Sequence, residues 1–245
     1  MSKQFLVFQH MPWERPGQYL IRPAGKFDVN LHIVEVWHQT IPDISLYDGL
    51  IVLGGGPNVD QEDQFPFLIS EKVAIRQTIE LNMPYLGFCL GHQLLADALG
   101  ARIEPNFHHS IGFIKGRLTK NGLDHPLFYS IPGSFPLFKW HSQAVSQPLP
   151  KEVEVLAIST DCEVEAISVK DRPHIIGLQF DNQSANYEDV EEWLEGDQGW
   201  LSSLTKPQIN PASVLADARR LEGIMEDQFE IIFRNYMDII SWTYK

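Results

Sequence analysis

The sequence predicts an α/β fold with a mostly parallel central sheet flanked by helices and additional helices at the C-terminus, and three patterns predict it. Apolar runs that do not alternate mark strands covered on both faces, a helical apolar period between two of them marks a crossover, and a long run at steps of three and four closes the chain. The first strands are Phe5–Phe8, Leu31–Val36, Leu50–Leu53 and Tyr85–Phe88. Between the third and fourth, Phe65, Leu68, Ile69, Ile75 and Ile79 share about a third of a helix circumference, which makes a β-α-β unit. His92–Leu99 reads as the next helix, ended by Gly100, because glycine is favoured just past a helix C-terminus.

The sheet continues through Ile111–Thr119, Val153–Ser159, Val164–Val169 and Ile175–Phe180, separated by turn signals at Asn121-Gly122, Pro132-Gly133 and Asp171-Arg172-Pro173. From Glu188 to Asp197 there are six acids and no base, read as a solvated helix face. Asn210-Pro211 then supplies an N-cap and a first-turn proline. Val214, Ala218, Leu221, Met225, Phe229, Ile232, Tyr236 and Ile239 follow on one face, as one helix or two broken near Gly223. At ~1.5 Å per residue this segment reaches roughly 40 Å, enough to cross its own domain or meet a partner subunit. Packing on its own core is the favoured expectation.

The 245 residues include 19 basic and 32 acidic side chains, a formal charge of −13, and 44% are hydrophobic. That is ample apolar material for a core and excludes a disordered chain. The charge repels phosphate backbones and anionic lipid surfaces, and the basic residues are scattered, Arg219 and Arg220 forming the closest pair. Neither nucleic acid nor membrane is expected as a partner. Two cysteines, Cys89 and Cys162, are too few for a disulfide framework or a zinc site of four cysteines, and suit a reduced, cytoplasmic protein. The N-terminus enters a strand pattern almost directly, without a leader pattern, and the longest apolar stretches fall short of the roughly 18 residues that span a bilayer.

Two segments carry chemistry. In Tyr85-Leu86-Gly87-Phe88-Cys89-Leu90-Gly91-His92-Gln93 a strand runs into a cysteine with glycines two residues to either side, then into a helix. Such a tight strand-to-helix turn holds its central side chain in a strained backbone conformation that only small neighbours permit. The helix N-terminus behind Cys89 is expected to lower the thiol pKa and stabilise an oxyanion. In Leu50-Ile51-Val52-Leu53-Gly54-Gly55-Gly56-Pro57 a strand ends in three glycines, a loop able to bring backbone N–H groups against a substrate carbonyl.

Together Gly55-Gly56-Pro57, Gly87-Phe88-Cys89-Leu90-Gly91-His92-Gln93, Trp140-His141-Ser142 and Gly177-Leu178-Gln179-Phe180 resemble the class I (triad) glutamine amidotransferase family, of the free-standing GMP-synthase type, in the right order from about Phe5 to Gln183. The resemblance implies a flavodoxin-like amidotransferase domain over residues 1–183, with residues 184–245 as a helical extension packed on the same domain. It implies that Cys89 attacks the side-chain amide of glutamine or another γ-glutamyl compound, forming a thioester and releasing ammonia for a separate synthetase or other protein partner. Gly56 and Leu90 would supply the oxyanion hole. Gly55, Gln93, His141 and Ser142 would bind the substrate. No cofactor and no metal are implied.

One departure bears on activity. Where the family has His-Pro-Glu, this chain has Asp181-Asn182-Gln183, so the base for the cysteine and the residue that orients it are both replaced. An ordinary carboxylate, with a pKa of about 3.9, is a feeble acceptor for a thiol of about 8.5 and raises that value further. Losing positioned acid–base catalysis costs on the order of 10²–10⁴ in rate. The expectation is weak hydrolysis or transfer, with an inactive glutamine-site binding or regulatory module as the alternative. Among the nine histidines, His92, His108, His109 and His141 are the candidates for a displaced base, His108 and His109 being read as exposed loop residues.

Overall fold

The computed structural model describes residues 2–204 and 209–243; Met1, residues 205–208 and residues 244–245 lie outside the described part. Its strands are β1 (Lys3–Gln9), β2 (Val29–Glu35), β3 (Gly49–Val52), β4 (Tyr85–Phe88), β5 (Arg102–Leu118), β6 (Ser134–Ser146), β7 (Val153–Ser159), β8 (Ala166–Val169) and β9 (Arg172–Leu178). The helices are α1 (Gln18–Lys26), α2 (Phe67–Glu80), α3 (Leu90–Ala98), α4 (Lys120–Asp124), α5 (Tyr187–Gly196), α6 (Gln198–Ser203) and α7 (Pro211–Thr243). All these strands join one sheet in the order β2-β1-β3-β4-β9-β8-β7-β5-β6.

From β2 to β9 every pairing is parallel, and from β9 to β6 every pairing is antiparallel. The parallel strands carry the continuous apolar runs because helices cover both their faces. In β1 the run divides, Phe5 and Val7 entering one apolar layer and Leu6 and Phe8 the other. The first layer holds apolar residues of α1, α5 and α7, the second those of α2 and α3. The register aligns Phe8 with Val52, Val52 with Gly87, and Phe88 with Leu178. Four strands therefore end level, and the loops leaving them meet at one sheet edge, where open α/β sheets bind ligands.

Several expectations are corrected. Ile69 is 57% exposed, because α2 turns Leu68, Glu71, Ala74, Ile75 and Thr78 inward instead. Two of these are polar and escape an apolar count: Glu71 pairs with His10, and Thr78 donates to the Ala74 carbonyl at 2.9 Å. His108 and His109 are strand residues of β5, at the register shift between Pro105 and Ser110, rather than loop residues. Asn121-Gly122 lies inside α4, whose Thr119 cap accepts from the Gly122 N–H at 3.0 Å. Apolar patterning reveals neither α1, which contains Pro23, nor β6.

Helix α7 runs unbroken through Gly223 and, at ~1.5 Å per residue, is roughly 50 Å long. Every apolar position of its predicted face is buried except Leu221, which is partly so. It packs on its own core: Asn235 donates to the Leu127 and Tyr129 carbonyls at 2.9 and 2.8 Å, and Tyr236 donates to the His174 carbonyl at 3.3 Å. Arg22 and Lys26 of α1 reach Glu226 and Glu230 across its surface. Among the described residues no helix is long and apolar enough to cross a membrane.

Candidate active site

Cys89 sits between β4 and α3 with φ +44° and ψ −101°, a region that a side chain adopts only when its surroundings over-determine it. The surroundings are the two glycines. A Cβ on Gly87 would stand 2.5 Å from the Gly91 carbonyl, and one on Gly91 would stand 2.2 Å from the Val52 carbonyl oxygen. The Cys89 N–H donates to the Leu178 carbonyl at 2.9 Å, fixing the turn to β9. The thiol approaches the Trp140 carbonyl at 3.9 Å, and the Leu90 N–H hydrogen-bonds the sulfur.

The glycine loop is held from behind. His10 contacts the Gly54 carbonyl at 2.7 Å through Nδ1 and Glu71 Oε1 at 2.7 Å through Nε2, both side chains being buried. Burial depresses the imidazole pKa, but the charge and hydrogen bond of Glu71 outweigh it and the net shift is upward. Because a trans peptide points its C=O and N–H in opposite directions, this grip turns the Gly55 N–H away from His10. Gly55 tolerates no side chain, since a Cβ would lie 2.6 Å from that of His10.

In front of the sulfur lies a cavity of about 410 Å³. Cys89, Gly55, Gly56, Gln93, His141 and Ser142 line it, so six of the predicted site residues are brought together. Phe65, Trp140 and Trp200 supply apolar wall, while Glu14 and Asp197 add carboxyl groups. The Gln93 side-chain amide donates to the Gln143 carbonyl at 3.0 Å and to Gln179 Oε1 at 3.2 Å, which sets its orientation.

Asp181 and Gln183 are buried just past β9. Gln183 donates its amide to Asp181 Oδ1 at 3.2 Å, and Oδ2 has no hydrogen-bond partner among the described residues. Burial raises the Asp181 pKa to about 7, against the opposing pull of the Gln183 amide and the Lys139 charge. Lys139 is itself fully buried and paired with Glu165. The loop from β1 to α1 closes against this turn so tightly that a Cβ on Gly17 would stand 2.0 Å from the Gln183 carbonyl oxygen.

That contact delivers Glu14, which sequence reasoning missed. A Cβ on Gly54 would be 2.8 Å from Glu14 Oε2, 3.3 Å from Asp181 Oδ1 and 3.5 Å from the Cys89 Cβ, so three groups converge on one glycine. Burial, then the charges of Asp197 and Asp181, raise the Glu14 pKa well above the usual carboxylate value. Asp197, expected on a solvated acidic face, instead accepts the indole N–H groups of Trp13 at 3.1 Å and Trp140 at 2.7 Å, one carboxylate oxygen for each. Glu188, Glu191, Glu192 and Glu195 of the same run are exposed and Asp189 is half-buried.

The expected lowering of the thiol pKa is reversed. Burial, then the charges of Asp181 and Glu14, push Cys89 well above its ordinary value, and Lys139 and the Leu90 N–H offset only part of this. Among the described residues no histidine hydrogen-bonds the sulfur. His92 is buried within α3 against Gly177, and burial lowers its pKa to about 3. His141 contacts the Gln143 carbonyl through Nδ1 at 2.7 Å, and burial likewise keeps it neutral. His108 faces Asp161 at 3.3 Å and His109 meets the Trp200 ring edge-on. No group of three or more His, Cys, Asp or Glu among the described residues is placed to hold a metal ion.

A strained cysteine between a parallel strand and a helix, facing a glycine loop across a cavity, defines an amidotransferase-type domain. The glutamine amidotransferase class-I family model matches residues 17–181, and the chain belongs to that family. It is 35% identical over 136 residues to a glutamine-hydrolyzing GMP synthase from Thermomicrobium roseum, covering 56% of this chain but 23% of that protein. A glutamine-hydrolyzing GMP synthase subunit from Haloarcula marismortui is 32% identical over 195 residues, 80% of this chain and 93% of that one. A crystal structure of a glutamine amidotransferase from Thermotoga maritima superposes with a TM-score of 0.85 at 22% identity, covering 96% of this chain and 98% of that one. This last likeness shows the fold over nearly the whole of both chains.

Proposed function

We propose that the chain hydrolyses a γ-glutamyl amide, glutamine being the reference substrate, through a thioester on Cys89, and that it does so slowly. The observation that carries this reading is the strained turn that presents Cys89 to a cavity lined by Gly56, Gln93, His141 and Ser142. The sulfur attacks the amide carbon, the oxyanion is met by the N–H groups of Gly56 and Leu90, ammonia departs, and water then cleaves the thioester to free glutamate. Gln93, Gly55, His141 and Ser142 hold the amino-acid end. Slow turnover follows from a thiol whose pKa is raised rather than lowered, so that little thiolate is present at neutral pH. Relatives that are single subunits of a GMP synthase support a division of labour in which a separate chain consumes the ammonia.

Purified protein incubated with glutamine should release ammonia in a Cys89-dependent way, and 6-diazo-5-oxo-L-norleucine should modify Cys89 and not Cys162. If neither occurs with any γ-glutamyl amide while glutamine still binds, the chain is a binding or regulatory module and the hydrolytic reading fails.

A further inference from the structure

The convergence of Glu14, Asp181 and Cys89 on Gly54 leaves two buried carboxyl groups where the chemistry needs one proton acceptor and one proton donor. Glu14 lines the cavity beside Cys89, and Asp181 keeps one oxygen without a hydrogen-bond partner among the described residues. Two buried carboxyls that feel each other's charge do not both ionise readily and titrate as a pair. The surrounding charges are already committed: Asp197 accepts from two indoles, and Lys139 is paired with Glu165.

We infer that Glu14 and Asp181 hold one proton between them and together take over the acid–base work, with Glu14 as a further catalytic residue. This rests on the nucleophilic role proposed for Cys89. The ionised carboxyl takes the thiol proton as the C–S bond forms, and the protonated one gives a proton to nitrogen as the C–N bond breaks, releasing ammonia. Water then bonds to the thioester carbon, its proton passes to the ionised carboxyl, and the C–S bond breaks onto a sulfur that is reprotonated. One glutamine and one water become glutamate and ammonia, and the pair ends with the single proton it began with. The upward shift of both carboxyl groups supports the assignment, because it brings them nearer to the thiol than an ordinary carboxylate and keeps a donor available near neutrality.

The test compares wild type, Glu14→Gln and Glu14→Asp in full-length protein, reading ammonia release from glutamine against pH and, separately, alkylation of Cys89 by iodoacetamide at neutral pH. Glu14→Gln should lower kcat about 100-fold, with a much smaller change in KM, and remove one limb of the pH profile. Alkylation should not slow, since the surviving Asp181 carries no more charge than the pair did. Glu14→Asp, which keeps the carboxyl, should retain part of the activity and the pH limb. A kcat and pH profile unchanged in Glu14→Gln would overturn the inference while leaving Cys89 hydrolysis standing. So would turnover and alkylation falling together in both variants, the mark of a structural role. Absence of Cys89-dependent release from wild type would overturn both readings.

Discussion

The turn that follows β4 and the turn that follows β9 both reach Gly54, and they are constrained in different ways. At the first, Gly87 and Gly91 leave no room for even a methyl group, and Cys89 has a single backbone solution. At the second, Asp181 and Gln183 are equally buried, yet Asp181 Oδ2 and Gln183 Oε1 both lack hydrogen-bond partners among the described residues. Steric closure fixes where Cys89 stands, whereas at the second turn the constraint lies on side chains, which are the more exchangeable. The cysteine turn is thus set by backbone sterics, while the carboxyl groups of Asp181 and Glu14 converge near it on Gly54.

The largest effects should come from the constrained side. Gly91→Ala drives a methyl group into the Val52 carbonyl and should destabilise the fold by at least the ~1–3 kcal/mol typical of overpacking, read by chemical denaturation. A variant within about 0.5 kcal/mol of wild type would break the comparison. On the exchangeable side, Asp181→His combined with Gln183→Glu should fold and raise ammonia release on the order of 10²-fold. An unchanged rate would mean that another part of the site is altered as well.

Removing one indole donor from Asp197, with Trp140→Phe, should destabilise by about 1–3 kcal/mol, because it leaves a part-buried carboxyl oxygen without its donor. Asp181→Asn should show its effect through pH. The folded pKa of about 7 lies above the unfolded value of about 3.9, so the stability that protonated Asp181 contributes is fully present below about pH 4 and is lost as pH rises to and through about 7. The thermal midpoint of Asp181→Asn relative to wild type should therefore climb between about pH 4 and pH 7 and level off above, and a flat difference would show that Asp181 is not desolvated. Smallest of all, Arg22→Ala breaks an exposed ion pair with Glu226 and should change stability by no more than about 1 kcal/mol.

What can be read in the sequence follows the same division. The strands β1, β3 and β4 contain short unbroken apolar runs, and the cysteine turn announces itself because steric need forces glycine at fixed spacing. The inward face of α7 is legible from its period alone. β6 is not, since it interrupts its apolar residues with Pro136, Lys139 and His141 and buries the lysine against Glu165, a partner 26 residues away. Glu14 and Asp197 carry no local signal. One sits in an irregular loop and the other ends an acidic run, and the groups that act on them, Asp181 on Glu14 and Trp13 and Trp140 on Asp197, are distant in sequence. Asp181 itself is legible as a candidate in the sequence, but the second carboxyl beside it needs the fold.

The state of the sulfur decides the account. Peptide-resolved mass spectrometry of Cys89 alkylation by iodoacetamide across pH reads its titration directly. The structure leads to a rate that keeps rising with pH and reaches its midpoint above the ordinary thiol value of about 8.5. A rate already at its plateau at about pH 6, as for a thiolate paired with an imidazolium, would contradict it.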